Sequence, residues 1–196
     1  MVVSENLARL MPERPYHVIP SGINLDLFCP EPQEQARRRL GLDPDRRYVL
    51  FAGMADNPRK RFPLVKQSVD LLRQEIDVDL LVAAHVPHEQ IPHYMNAADV
   101  LLLLSLHEGS PNVVKEALAC NLPVISTDVG DVRQRIGSLP GCIVLSDDRP
   151  EAVASALKSV LANPQRVNGR PSVQDLDEKL LTNNVINVYL QSLIIK

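Results

Sequence analysis

Seven residues, Gly109-Ser-Pro-Asn-Val-Val-Lys115, separate Glu108 from Glu116, and any chemistry in this chain would gather there. The run from Val100 to Leu104 in front of them is apolar throughout, the pattern of a strand covered by helices on both faces. Ser110 is placed to N-cap a following helix, with Pro111 at the first helical position, where its missing N–H and fixed φ cost nothing. The amides of Asn112, Val113 and Val114 would then be unpaired and aimed past the strand's carboxyl end. That is an anion site, and open parallel sheets hold their ligands at that end. A carboxylate beside such a site is electrostatically wrong unless it accepts hydrogen bonds, for example from sugar or ribose hydroxyls. The plainer alternative puts Glu108 in a solvated loop and Glu116 on an exposed helix face. Two glutamates alone do not decide between these readings.

Other candidates lie nearby in the pattern. A strand from Tyr48 to Ala52 ends at Gly53 and leads into a polar loop carrying Arg59, Lys60 and Arg61; alone, such a loop reads as a solvated surface. His107 adjoins Glu108, either against a ligand or as an ordinary loop histidine. His85, His88 and His93 read as surface or helix-cap residues, and no Cys or His pair accompanies them at metal-ligand spacing. Asp128 and Asp131 flank Gly130 in a loop at the carboxyl edge of the sheet, within reach of a ligand there.

These residues need a frame, and the chain supplies one domain's worth. At 196 residues it can bury one sizeable core. A net charge of −3 argues against a nucleic-acid footprint. No apolar run reaches the about 18 residues of a membrane span, and the N-terminus lacks a signal-peptide pattern, so the expected compartment is the cytoplasm. Cys29, Cys120 and Cys142 are an odd, widely spaced set, read as reduced core residues.

Strands and helices then alternate. Tyr16–Ile19 is a short strand after a strand end and short helix in residues 2–14. Residues 33–40 form a basic helix stopped by Gly41. Helices over 63–75 and from Pro87 to Ala98 flank a strand at 80–84, and Asn121 is suited to a left-handed cap before Pro123. Strands at 124–126 and 143–145 bracket a short helical piece near Arg133. An amphipathic helix spans 150–161, a weaker one runs from Gln165 toward Gln174, and Asp177 caps a last helix with Leu180, Leu181, Val185, Val188, Tyr189 and Leu193 as its apolar stripe. This alternation predicts an α/β, Rossmann-like, mostly parallel sheet of about six strands with helices on both faces.

Three blocks carry a family resemblance: Val18-Ile-Pro-Ser-Gly-Ile-Asn-Leu-Asp-Leu-Phe28, Asn96-Ala-Ala-Asp-Val100, and Glu108 through Val124. Together they resemble the retaining glycosyltransferases of family 4 (group 1), two-domain enzymes of the GT-B architecture whose active site lies in the cleft between two Rossmann-like halves. The resemblance spans residues 2 to 192 but only the second half of such an enzyme. It implies that residues 1–15 are the remnant of a preceding domain and its linker. Residues 16–176 would be the nucleotide-sugar-binding domain, and 177–196 a helix crossing back onto the N-terminal domain that carries the acceptor site. Any peripheral membrane association would run through that other half.

The resemblance also places roles. Glu116 matches the glutamate that accepts from the ribose hydroxyls, and Glu108 the one beside the transferred sugar. Gly109, Ser110, Pro111, Asn112 and Val113 belong to the turn and helix start facing the sugar and diphosphate, and Gly53 to the glycine turn after the first strand. Lys60 matches the lysine that neutralises the departing diphosphate, whose developing charge needs fixed cations and amide dipoles. No metal or other cofactor is expected on this half; the donor is a nucleoside diphosphate sugar. Two positions depart from the family: Met54 replaces an arginine after Gly53, and Arg61 replaces a glycine after Lys60. Arg59 or Arg61 would supply the lost charge. His85 would neighbour the base in a segment shorter than usual. The expected activity is hexosyl-type transfer by the full-length protein, with this piece inactive alone and prone to self-association through its uncovered cleft face and last helix. The alternatives are a non-catalytic nucleotide- or sugar-binding module and one half of a nucleotide-sugar 2-epimerase.

Overall fold

A computed structural model describes residues 2, 8, 9 and 16–194. After the loop of residues 20–28 comes α1 (Gln33–Leu40), closed by Gly41 at φ 66°, a left-handed position that suits glycine. The α/β unit follows as β1 (Arg47–Ala52), α2 (Phe62–Leu72), β2 (Val78–Ala83), α3 (Ile91–Ala97), β3 (Val100–Leu103), α4 (Asn112–Ala119), β4 (Val124–Thr127), α5 (Val132–Ile136), β5 (Ile143–Leu145) and α6 (Pro150–Leu161). A 3₁₀ turn (Arg170–Leu176) leads into α7 (Glu178–Ile194).

All four strand pairings are parallel, in the order β2-β1-β3-β4-β5. The chain builds outward from β1 to β2, then returns past β1 to start β3 and builds the other way. Right-handed crossovers then require helices on opposite faces for the two directions, and the burial follows. Val49, Phe51, Val100 and Leu102 pack with Val65 and Leu72 of α2 and with Val153 and Leu157 of α6. Their alternating neighbours Tyr48, Leu50, Leu101 and Leu103 pack with Met95 of α3, Ala117 and Leu118 of α4 and Ile136 of α5. Successive side chains point to opposite faces of a strand. β3 lies between two cores, so each of its residues must be apolar.

Several expectations are corrected. The sheet has five strands among the described residues rather than about six, because Tyr16–Ile19 contributes only an isolated bridge from Val18 to Val2. Pro20 has no N–H to extend that ladder. The strand end and helix expected within 2–14 lie outside the described residues except at 2, 8 and 9. The helix expected over 165–174 is replaced by the 3₁₀ turn at 170–176, with Pro171 in its first turn. There the side-chain oxygen of Asn121, itself at φ 57°, accepts from the amides of Gly169 (3.1 Å) and Arg170 (3.0 Å). Cys120 is buried as expected, but Cys29 is exposed.

The start of α7 is strapped to the loop of residues 20–28: Ile23 N–H donates to Leu176 O at 2.9 Å and Glu178 N–H to Ile23 O at 3.0 Å. Asp177 Oδ1 accepts from Lys179 N–H at 2.8 Å, the expected cap. Of the expected stripe, Leu181 is buried and Val185 and Val188 are half-buried, whereas Leu180 and Tyr189 are exposed. The side chain of Leu193 lies outside the described residues.

Candidate functional site

Strand order reverses between β1 and β3, and in an open parallel sheet that reversal opens a crevice at the strands' carboxyl ends. Gly53 follows β1 there, and Ser105 to Ser110 follow β3. Lys60 rises from the short turn Pro58–Lys60, whose start is held by Asn57 Oδ1 accepting from Arg59 N–H at 3.1 Å. Gly53, at φ 150°, lies against the Lys60 stem: a Cβ there would sit 3.7 Å from Lys60 Cε. Leu106 N–H donates to Arg59 O at 2.9 Å and stitches the two loops together. In consequence Lys60 Nζ meets Glu108 Oε1 at 2.7 Å, with both side chains about four-fifths buried (21% and 19% exposed).

The turn after Glu108 differs from its expected form. Helix α4 begins at Asn112, Pro111 occupies the cap position, and no side chain caps the helix. Ser110 Oγ instead donates to Asp131 Oδ2 at 2.8 Å, because the buried Asp131 carboxylate needs donors more than the helix end needs an acceptor. Val114 N–H donates to Pro111 O at 3.2 Å, so the free amides expected over Asn112–Val114 exclude Val114. The loop of Gly130 packs directly against this turn. Gly130 sits at φ 58°, and a Cβ there would lie 2.6 Å from Gly109 O. Asp128, on the same loop, pairs with Arg133.

Glu116 is not on an exposed helix face: it is 8% exposed. Burial pushes its carboxyl above the ordinary value, opposed by a hydrogen bond from His88. His88 Nε2 lies 3.0 Å from Glu116 Oε1. Its ring leans on Phe28, with centroids 5.1 Å apart. Next to Glu116, Lys115 is fully buried, and its Nζ donates to Ser21 O at 3.0 Å and Asn112 Oδ1 at 3.3 Å. Burial lowers the Lys115 pKa.

The remaining predicted residues are placed as follows. Arg59 and His107 are exposed, and Val113 is half-buried. Arg61 is engaged by Asp148, beyond β5. His85 is exposed at φ 56° on the loop after β2. Sequence reasoning passed over His88, Lys115 and the Ser110–Asp131 bond. The available signal for His88 was its place directly after Pro87, at the carboxyl end of β2 on the ligand-holding edge. Among the described residues no group of three or more His, Cys, Asp or Glu could hold a metal ion, and no helix is long and apolar enough to cross a membrane. An open cleft of about 520 Å³ lies at the opposite end of the sheet, where Pro123 and Cys142 precede β4 and β5, and contains none of these residues.

A five-stranded parallel sheet with a Lys–Glu pair at its switch point defines a Rossmann-like α/β domain with a candidate ligand site at the carboxyl edge of β1 and β3. Sucrose-phosphate synthase from Thermosynechococcus elongatus has this fold over 100% of the chain and 58% of its own, with a TM-score of 0.83 at 24% identity. WaaG, a glycosyltransferase involved in lipopolysaccharide biosynthesis, superposes over 96% of this chain and 61% of its own, with a TM-score of 0.73 at 20% identity. Residues 80–163 match the family Glycosyl transferases group 1. TuaC of Bacillus subtilis, named for glycosyl transfer in teichuronic acid biosynthesis, is 30% identical over 177 residues, 81% of this chain and 44% of its own length. A D-inositol 3-phosphate glycosyltransferase of Thermobispora bispora is 28% identical over 190 residues, 80% of this chain and 44% of its own. Residues 80–163 thus carry the group 1 match, and the chain is similar in sequence and fold to group 1 glycosyltransferases. It spans under half the length of the curated relatives it matches.

Proposed function

We propose that this chain is the C-terminal, donor-binding half of a retaining glycosyltransferase, passing a hexosyl-type unit from a nucleoside diphosphate sugar to an acceptor held by a preceding domain. The observation that carries the reading is the Lys60–Glu108 pair across the switch point between β1 and β3, with Glu116 buried on the helix that follows and bonded to His88 after β2. In this reading the Lys60 ammonium neutralises the diphosphate as it leaves, where a preorganised cation acts on charge developing in the transition state. Glu116 accepts from ribose hydroxyls, and Glu108 stands beside the transferred sugar. The turn from Gly109 to Val113, braced from behind by Gly130 and Asp131, faces the sugar and diphosphate. Arg59, Gly53, His107 and His85 complete the donor rim, while Arg61 serves it only on release from Asp148.

Two comparisons support this assignment. HepE of Anabaena, with a TM-score of 0.70 over 88% of this chain, was solved with UDP and glucose. A solved structure titled the C-terminal domain of a group 1 family glycosyl transferase from Francisella tularensis is covered over 97% of its length by this chain, with a TM-score of 0.63. The proposed domain limits are 1–15 for the remnant of a preceding domain and its linker, 16–176 for the donor domain, and 177–196 for the helix returning to that preceding domain. The proposed setting is the cytoplasm, with no metal on this half. The test joins this chain to the domain that precedes it in the longer protein and assays sugar transfer. Transfer by the joined protein and none by this chain alone is expected; transfer by this chain alone contradicts the two-half reading.

A further inference from the structure

Among the described residues Glu116 has one side-chain hydrogen-bond partner, and that partner is not inside the core. Its carboxylate sits on the first turns of α4, nearly enclosed, where ionisation is costly without a donor. The donor comes from another element. His88 opens the short turn His88–Gln90 after β2, and its side chain is 59% exposed. An ionised carboxylate can only accept, so imidazole Nε2 donates to Oε1 at 3.0 Å. Behind the imidazole lies Phe28, which is fully buried and whose carbonyl is held by Arg170 Nη1 at 2.6 Å. The ring therefore has a fixed backstop on one side and the carboxylate on the other. Glu116 Oε2 takes no hydrogen bond among the described residues and is not sealed from solvent.

We infer that His88 is a positioning residue of the donor site: by anchoring Oε1 it turns Oε2 of Glu116 outward to accept from the hydroxyls of the bound nucleotide's ribose. The inference rests on the donor-site reading and goes beyond it, since it assigns the orientation of the ribose-binding carboxylate to a histidine from a different loop. On the His88 side the bond is open to water, which can take the place of a lost donor. The bond's consequence falls on which groups Oε2 can meet, and a ligand that lacks those groups will not register it.

The test compares the chain with His88→Ala, His88→Gln and Glu116→Ala by calorimetry, using UDP, GDP and ADP and, for the base bound tightest, its 2′,3′-dideoxy form. Gln carries an Nε2 donor near the imidazole position. The affinity ratio of ribo to dideoxy nucleotide should fall about tenfold in His88→Ala, a difference of about 1.4 kcal/mol. It should return toward the wild-type ratio in His88→Gln, and affinity for the dideoxy form should not change. An unchanged ratio in His88→Ala, with the ratio lost in Glu116→Ala, overturns the role of His88 and leaves the donor reading standing. An unchanged ratio in Glu116→Ala overturns the donor reading and this inference with it. Because His88 is exposed, its replacement opens no cavity, and matching thermal transitions confirm intact folds.

Discussion

Lys60 Nζ and Glu108 Oε1 are 2.7 Å apart across the gap between the loops that follow β1 and β3. The contact joins the two strands on either side of the sheet's reversal and places a cation and a carboxylate where a nucleotide sugar is proposed to lie. Glu108 neutralises the ammonium. Replacing it by glutamine leaves the side-chain shape but frees the positive charge for a diphosphate. Glu108→Gln should tighten UDP binding several-fold at low salt, with the gain shrinking at about 1 M salt as screening shortens the reach of the charge. Titrations at two ionic strengths check this; weaker UDP binding in the variant contradicts it.

The buried Glu116 carboxylate has a raised pKa, chiefly from burial. Below its ordinary value of 4.5 the carboxyl is protonated in both folded and unfolded chains and makes no difference. As pH rises from there through the raised folded value, the unfolded chain holds fewer protons than the folded one, so stability falls. Glu116→Gln keeps the neutral shape and should melt higher than wild type at pH 7, by about 2–4 °C for each kcal/mol recovered. The advantage should vanish near pH 4, and ribose discrimination should be lost at either pH. Melting curves at both pH values test this.

Lys115 gives the opposite slope. Burial lowers its pKa, so between that lowered value and 10.5 the unfolded chain holds more protons and stability rises with pH. Lys115→Met removes the buried ammonium and should lack this rise. It also leaves Ser21 O without its 3.0 Å donor, so amide exchange at Ser21 and Gly22 should quicken in the variant. Equal exchange would contradict the tie between α4 and that segment.

Much of the frame was legible because it depends on local pattern. The unbroken apolar run at Val100–Leu104 encodes a strand between two cores, and burial on both faces follows from it. Gly41 and Asn121 end helices with positive φ, and Pro150 opens α6, all by chemistry contained in a few residues. The pairing of Lys60 with Glu108 and of Glu116 with His88 joins residues 48 and 28 positions apart, and no spacing rule reaches so far. Ser110 shows the limit most clearly. Its local preference is to cap α4, but the buried Asp131 draws its hydroxyl away. Likewise the apolar stripe of α7 becomes a buried face only in part: Leu181 is covered, whereas Leu180 and Tyr189 stay exposed.

Gly130 offers a test of the turn itself. Alanine there would meet two costs: a left-handed backbone at φ 58°, and a Cβ 2.6 Å from Gly109 O. Gly130→Ala should lose on the order of 1–3 kcal/mol of stability. It should also weaken donor binding more than Gly41→Ala, which has nothing within 4 Å of its Cβ and shares only the φ cost at 66°. Denaturation and nucleotide titration of the two variants side by side separate backbone strain from displacement of the turn.

The central claim is that Lys60 and Glu116 belong to one donor site. The most direct measurement is calorimetric titration of this chain with UDP, GDP, ADP and UDP-hexoses, alongside Lys60→Ala and Glu116→Ala. Selective binding of one nucleotide, weakened about tenfold or more in each variant, is the predicted result; a tenfold loss is about 1.4 kcal/mol. No nucleotide binding at millimolar concentration, or binding indifferent to both substitutions, would contradict it.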